Sequence, residues 1–134
     1  MGRKGRIGTF ACCLGVVVLV LGATTATGHQ TETNKGVTVT MHVTPDDEPV
    51  SGQSSRIIVS KVKPSSGRFS FKTCKCYLRI SDSSGDVVLN RKVTKRTTRF
   101  TFPRATAYEV VFTGRVKRGS KTKRFRATFA IRAS

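Results

Sequence analysis

The chain has 134 residues, with 25 Lys and Arg against seven Asp and Glu, four Cys, two His, no Trp and a net charge of +18. That length admits one small domain with one modest core and excludes a multidomain assembly. A field of one sign attracts polyanions.

Arg3, Lys4 and Arg6 open the chain, Phe10 to Gly22 is an apolar run, and the small residues Ala23-Thr24-Thr25-Ala26-Thr27-Gly28 follow. These are the three parts of a secretory signal peptide. The run falls short of the roughly 20 residues that span a bilayer, so a cleaved leader is expected rather than a permanent anchor. Cleavage fits after Ala26 or after Gly28; the second would make His29 the mature amino terminus. A lipoprotein cysteine follows the apolar run, which Cys12 and Cys13 do not, so both thiols are expected to leave with the leader. The division is therefore residues 1–28 as signal peptide and 29–134 as one domain, exported to a periplasm, a cell envelope or the medium. Removing three cations leaves 22 against seven acids, a mature charge of +15.

From there the pattern is β throughout. Val37 to Val43 alternates, with Val37, Val39, Met41 and Val43 on one face. Arg56 to Val62, Arg68 to Lys72, Cys76 to Ser81, Val87 to Val93, Arg99 to Phe102 and Tyr108 to Thr113 read as further short strands. The last, Arg124 to Arg132, sets Phe125, Ala127, Phe129 and Ile131 against a charged face. Pro45-Asp46-Asp47, Pro64-Ser65-Ser66-Gly67, Asp82-Ser83-Ser84-Gly85 and Gly119-Ser120 are turn chemistry between them. Seven to eight strands predict an all-β, antiparallel, immunoglobulin-like sandwich, with Tyr108 as its tyrosine corner. Ile58, Phe71, Leu78, Val110 and Phe112 join the expected core.

Cys74 and Cys76 are the only thiols of the mature chain. In an extended strand, residues i and i+2 lie about 6.5–7 Å apart on one face, too far for the Cβ separation of about 3.5–4.5 Å that a disulfide needs. A bond between them requires a sharp bend, and the small ring would then be strained and reducible. Two sulfurs on one metal ion can sit about 4 Å apart, and thiolates favour Cu(I) and zinc. Lys72 and Lys75 would favour the thiolate form. The third ligand would be His29 or His42, the only histidines. Metal binding by Cys74, Cys76, His42 and His29, with copper first, thus stands beside two alternatives, redox or disulfide use and inert burial.

Further segments carry a resemblance. His29, Met41-His42-Val43-Thr44-Pro45, Pro49-Val50-Ser51-Gly52-Gln53, Thr73-Cys74-Lys75-Cys76-Tyr77-Leu78, Phe100-Thr101-Phe102-Pro103 and Tyr108 to Gly114 resemble a family of small exported proteins of cyanobacteria with a CxC segment in one sandwich domain. That resemblance implies the fold and export and names no activity. More loosely, the chain is similar to YtkA-like and CopC-like periplasmic copper-handling sandwiches. The looser likeness implies a copper ligand at His29 through imidazole and amine, and says nothing of Cys74 and Cys76. With only Met1 and Met41, the chain lacks the Met-rich loop of the Cu(I) thioether sites in that group.

The remaining charge forms two clusters. Arg91, Lys92, Lys95, Arg96 and Arg99 lie between two strands, and Arg115, Lys117, Arg118, Lys121, Lys123, Arg124 and Arg126 fill a terminal hairpin. Such a face suits an anionic envelope polymer or a membrane surface. Nucleic-acid readers interleave aromatics for base stacking, whereas the phenylalanines of these strands are expected to face inward. No Ser-His-Asp spacing, phosphate loop or HExxH helix occurs, and Asp46, Asp47 and Glu48 read as turn residues. The expectation is a non-enzymatic binding protein. Its alternatives are an envelope module using the basic face and a thiol–disulfide redox partner.

Overall fold

The computed structural model describes residues 29–134, so the expected leader and its expected cleavage site lie outside the described residues. Eight strands run β1 Gln30–Asn34, β2 Val37–Val43, β3 Ser54–Pro64, β4 Cys76–Asp82, β5 Val87–Val93, β6 Thr97–Thr101, β7 Ala107–Arg118 and β8 Lys121–Arg132. They form two antiparallel four-stranded sheets, ordered β1-β2-β3-β6 and β5-β4-β7-β8. The connections β3 to β4, β5 to β6 and β6 to β7 cross between the layers, so that β6 pairs with β3 and β7 with β4, as in an immunoglobulin-like sandwich. Among the described residues, no helix is long and apolar enough to cross a membrane.

Alternation drives the packing. Val37, Val39, Met41 and Val43 of β2 and Ile57 and Val59 of β3 face Leu78, Ile80, Val110, Phe112, Phe125 and Phe129 of the other sheet, all buried. Each such side chain contributes about 1.5–3 kcal/mol on burial. The corner expected at Tyr108 is present: its hydroxyl donates to the Arg104 carbonyl at 2.8 Å and accepts from the Arg104 amide at 3.0 Å.

Three elements differ from expectation. β1 carries Gln30-Thr31-Glu32-Thr33-Asn34, with no apolar residue to reveal its period, and forms because Lys35 and Gly36, both at positive φ, close a tight hairpin onto β2. Arg68 to Lys72 is not a strand; only Arg68 bridges, to Lys117, and Ser70 then accepts from the Thr73 and Cys74 amides in a turn. Ile58 turns outward opposite His42 because Ile57 and Val59 take the core phase. Three apolar residues in a row leave that phase undefined in the sequence.

Candidate functional site

His42 lies on the outer face of β2, one residue from its end. His29 precedes β1, and the β1–β2 register sets the two imidazoles edge to face with centroids 4.9 Å apart. Beyond β2, Asp46 and Asp47 both adopt left-handed φ, of 46° and 60°. Among residues other than glycine, Asn and Asp tolerate that region best. The turn folds Asp47 back over the strand: its amide donates to the Val43 carbonyl at 2.7 Å, and its Oδ1 accepts from the Val43 amide at 2.6 Å. The same Oδ1 lies 2.8 Å from His42 Nδ1. This is ion-pair distance but off the line of a hydrogen bond, so the buried Nδ1 has no hydrogen-bond partner. The side chains of His42 and Asp47 are 25% and 5% exposed. One ligand-type atom from each of His29, His42 and Asp47 lies within 4.8 Å of the others.

The sulfurs are elsewhere. Cys74 and Cys76 form a disulfide with Cα atoms 5.1 Å apart, which corrects the expectation of an extended segment too long to bridge. Cys74 ends the turn that begins at Ser70, and Lys75 takes a φ of 46°, so the pair straddles the entry to β4. Both residues are 0% exposed. A Cβ on Gly114 would stand 2.7 Å from Cys76 Sγ, so glycine is what lets β7 pass over the bond. Gly114 pairs with Phe125, whereas Gln30, beside His29, donates to the carbonyl of Ala130 on the same β8 strand. Those positions are five residues apart, about 17 Å along a strand. The expected set of Cys74, Cys76, His42 and His29 is therefore split between two ends of the sandwich.

The basic clusters also divide. Arg115, Arg124 and Arg126 line a concavity of about 810 Å³ on the outer face of the β5-β4-β7-β8 sheet, together with Lys35, Lys75, Lys92 and Tyr77. Lys92 continues into a second of about 450 Å³ with Arg91, Lys95 and Arg99. Two expected members serve the fold instead: Arg96 donates to the Ser60 carbonyl at 3.0 Å, and Arg118 to the Ser66 carbonyl at 3.2 Å. Lys117 and Lys121 are exposed toward the hairpin tip, with Lys123 partly covered. Sequence reasoning missed Asp47, whose place beside His42 depends on the turn, and Tyr77, which is 47% exposed on the basic face.

Away from these sites, Asp82 is buried, which opposes its charge. Hydrogen bonds from the Asp86 amide and from Ser84, with the Arg104 guanidinium 2.8 Å away, outweigh that and hold its carboxyl below the ordinary range. No family model, curated protein or solved structure matches the chain.

Proposed function

We propose that the protein is an exported, non-enzymatic binding protein for a divalent transition metal, copper first, held by His29, His42 and Asp47. The convergence of three ligand-type atoms within 4.8 Å, from three separate segments, carries this reading. Two imidazoles and a carboxylate suit Cu(II) and zinc, and intrinsic affinities favour copper. An unpartnered buried nitrogen is an uncommon feature in a folded protein, and a metal ion would satisfy Nδ1 of His42. Cleavage after Gly28 would add the α-amine of His29, so that amine, two imidazoles and one carboxylate would supply four donors. The bonded sulfurs offer no thiolate, which moves the metal from the Cu(I) expected of a CxC pair to Cu(II). Their burial also argues against a redox partner, because exchange needs access for an attacking thiolate.

The test expresses the full chain with its leader, fixes the processed amino terminus by mass spectrometry and titrates Cu(II) under paramagnetic resonance. One equivalent with nitrogen hyperfine structure is expected. His42→Ala should lower affinity at least about 100-fold, beyond the usual cost of disturbing a ligand's support. Replacing both Cys74 and Cys76 with Ser should leave it unchanged. Undiminished binding in a His42→Ala, Asp47→Ala double variant would overturn the reading, as would binding that requires the cysteines.

A further inference from the structure

The outer face of the β5-β4-β7-β8 sheet carries a second site, independent of the histidines. Lys92, Tyr77, Thr113 and Arg126 stand directly opposite one another across its four strands, forming one row. Arg115 and Arg124 oppose each other in the next row. Like charges directly opposite in an antiparallel pair destabilise it, so this arrangement works against folding unless an anion joins it. None of the seven Asp and Glu residues lines the concavity, and Asp82 and Asp47 lie elsewhere, beside Arg104 and His42. Its cations therefore have no internal counter-charge among the described residues.

Shape points to a long ligand. The 810 Å³ concavity shares Lys92 with the 450 Å³ one, which shares Arg99 with a third of about 480 Å³ that also holds Arg56. Three hollows in series make a basic track across the molecule. Of its two aromatic residues Phe125 is buried, so one ring is presented, that of Tyr77, half-exposed beside Lys92, with Arg126 beyond Thr113 on its other side. A single-stranded nucleic acid is held by successive aromatic platforms, one for each of several bases. A single ring between cations fits a sugar, whose apolar C–H face packs on an aromatic face while its acidic substituents meet Arg and Lys. The disulfide supports the site from beneath: Lys75, bent outward between the two cysteines, and Gly114, above Cys76 Sγ, both line the track.

We propose that this track binds a linear acidic polysaccharide, with Tyr77 stacking on one sugar ring and the surrounding cations pairing with its carboxylate or sulfate groups. The test measures affinity of the protein, expressed as its full chain, for polygalacturonate and heparin oligosaccharides of equal length across a salt series, with single-stranded DNA of similar length alongside. Tyr77→Ala should weaken binding about tenfold, as loss of one stacking platform does, and Tyr77→Phe should retain it. Arg115→Ala with Arg124→Ala should cost at least about tenfold at 0.15 M salt and flatten the salt dependence by roughly two ions. Lys117→Ala with Lys121→Ala removes the same charge near the hairpin tip, outside the track, and should cost less than about threefold by lost general attraction. Preference for polygalacturonate over heparin would identify carboxylate as the recognised group, and the reverse would identify sulfate. Equal losses from the two charge-matched pairs, unchanged binding in Tyr77→Ala, or tighter binding of single-stranded DNA would each overturn the proposal. Melting curves of every variant exclude unfolding as the cause, because all five positions are at the surface or its rim.

Discussion

The two ends of the sandwich treat charge in opposite ways. At the His29 end, each carboxylate that matters is bound into a turn, Asp47 over β2 and Asp82 over the β4–β5 connection, with a basic partner 2.8 Å away. Around the disulfide, cations face cations and no carboxylate approaches. On the two proposals made above, the first arrangement holds its groups for a small ion and the second keeps a field open to a large one. Both rest on the same core, so the difference comes from the loops and from the register of outward-facing residues.

Several variants separate the ends. The largest contrast is expected from His42→Ala, with a loss of about 100-fold in Cu(II) affinity and no change in polyanion retention on a salt-eluted column. Gly114→Ala strikes the other end. Its new methyl meets Cys76 Sγ at 2.7 Å and the Phe125 ring at 2.9 Å, and overpacking of that kind costs about 1–3 kcal/mol. Denaturant unfolding should register this while Cu(II) affinity holds; a change in metal affinity as large as in His42→Ala would mean that the ends are coupled. Tyr108→Phe removes both hydrogen bonds to Arg104 and should cost about 1–2 kcal/mol with the polyanion affinity intact.

The smallest effect is a pH dependence assigned to Asp82. Its carboxyl is held below the ordinary value of 3.8, so the folded state binds the proton less readily than the unfolded chain. Its stabilising contribution is therefore complete well above pH 3.8 and is lost as the pH falls from there through the lower folded value. Denaturation midpoints between pH 5 and pH 2, compared with those of Asp82→Asn, isolate that component. Parallel curves for the two proteins would remove the assignment (about 3.8 is the reference for the unfolded chain).

Much of the fold was legible. β2 and β5 begin and end where alternation and turn residues place them, and Tyr108 makes the corner that its position after a turn implies. What failed did so for specific reasons. β1 is an edge strand of polar residues, held by backbone pairing and by hydroxyl contacts such as Thr31 with Thr40 at 3.1 Å, and such a strand has no hydrophobic period to read. The segment before Cys74 alternates like a strand yet turns, because hydrogen bonds to Ser70 compete with the ladder there. That turn is also why the cysteines bridge.

The amino-acid order alone determined the all-β class, the inward faces of β2 and β8, the excess of positive charge and the short menu of chemical groups: two histidines and two cysteines after residue 28. It could do so because period, turn propensity and charge are local properties. Which of those groups meet was decided by tertiary structure. Strand register brings His29 beside His42, two left-handed residues bring Asp47 to them, and one bent lysine joins Cys74 to Cys76 about 17 Å away along the strands. Distances between residues remote in the chain follow from pairing and from backbone bends, and neither is written in the spacing of the residues themselves.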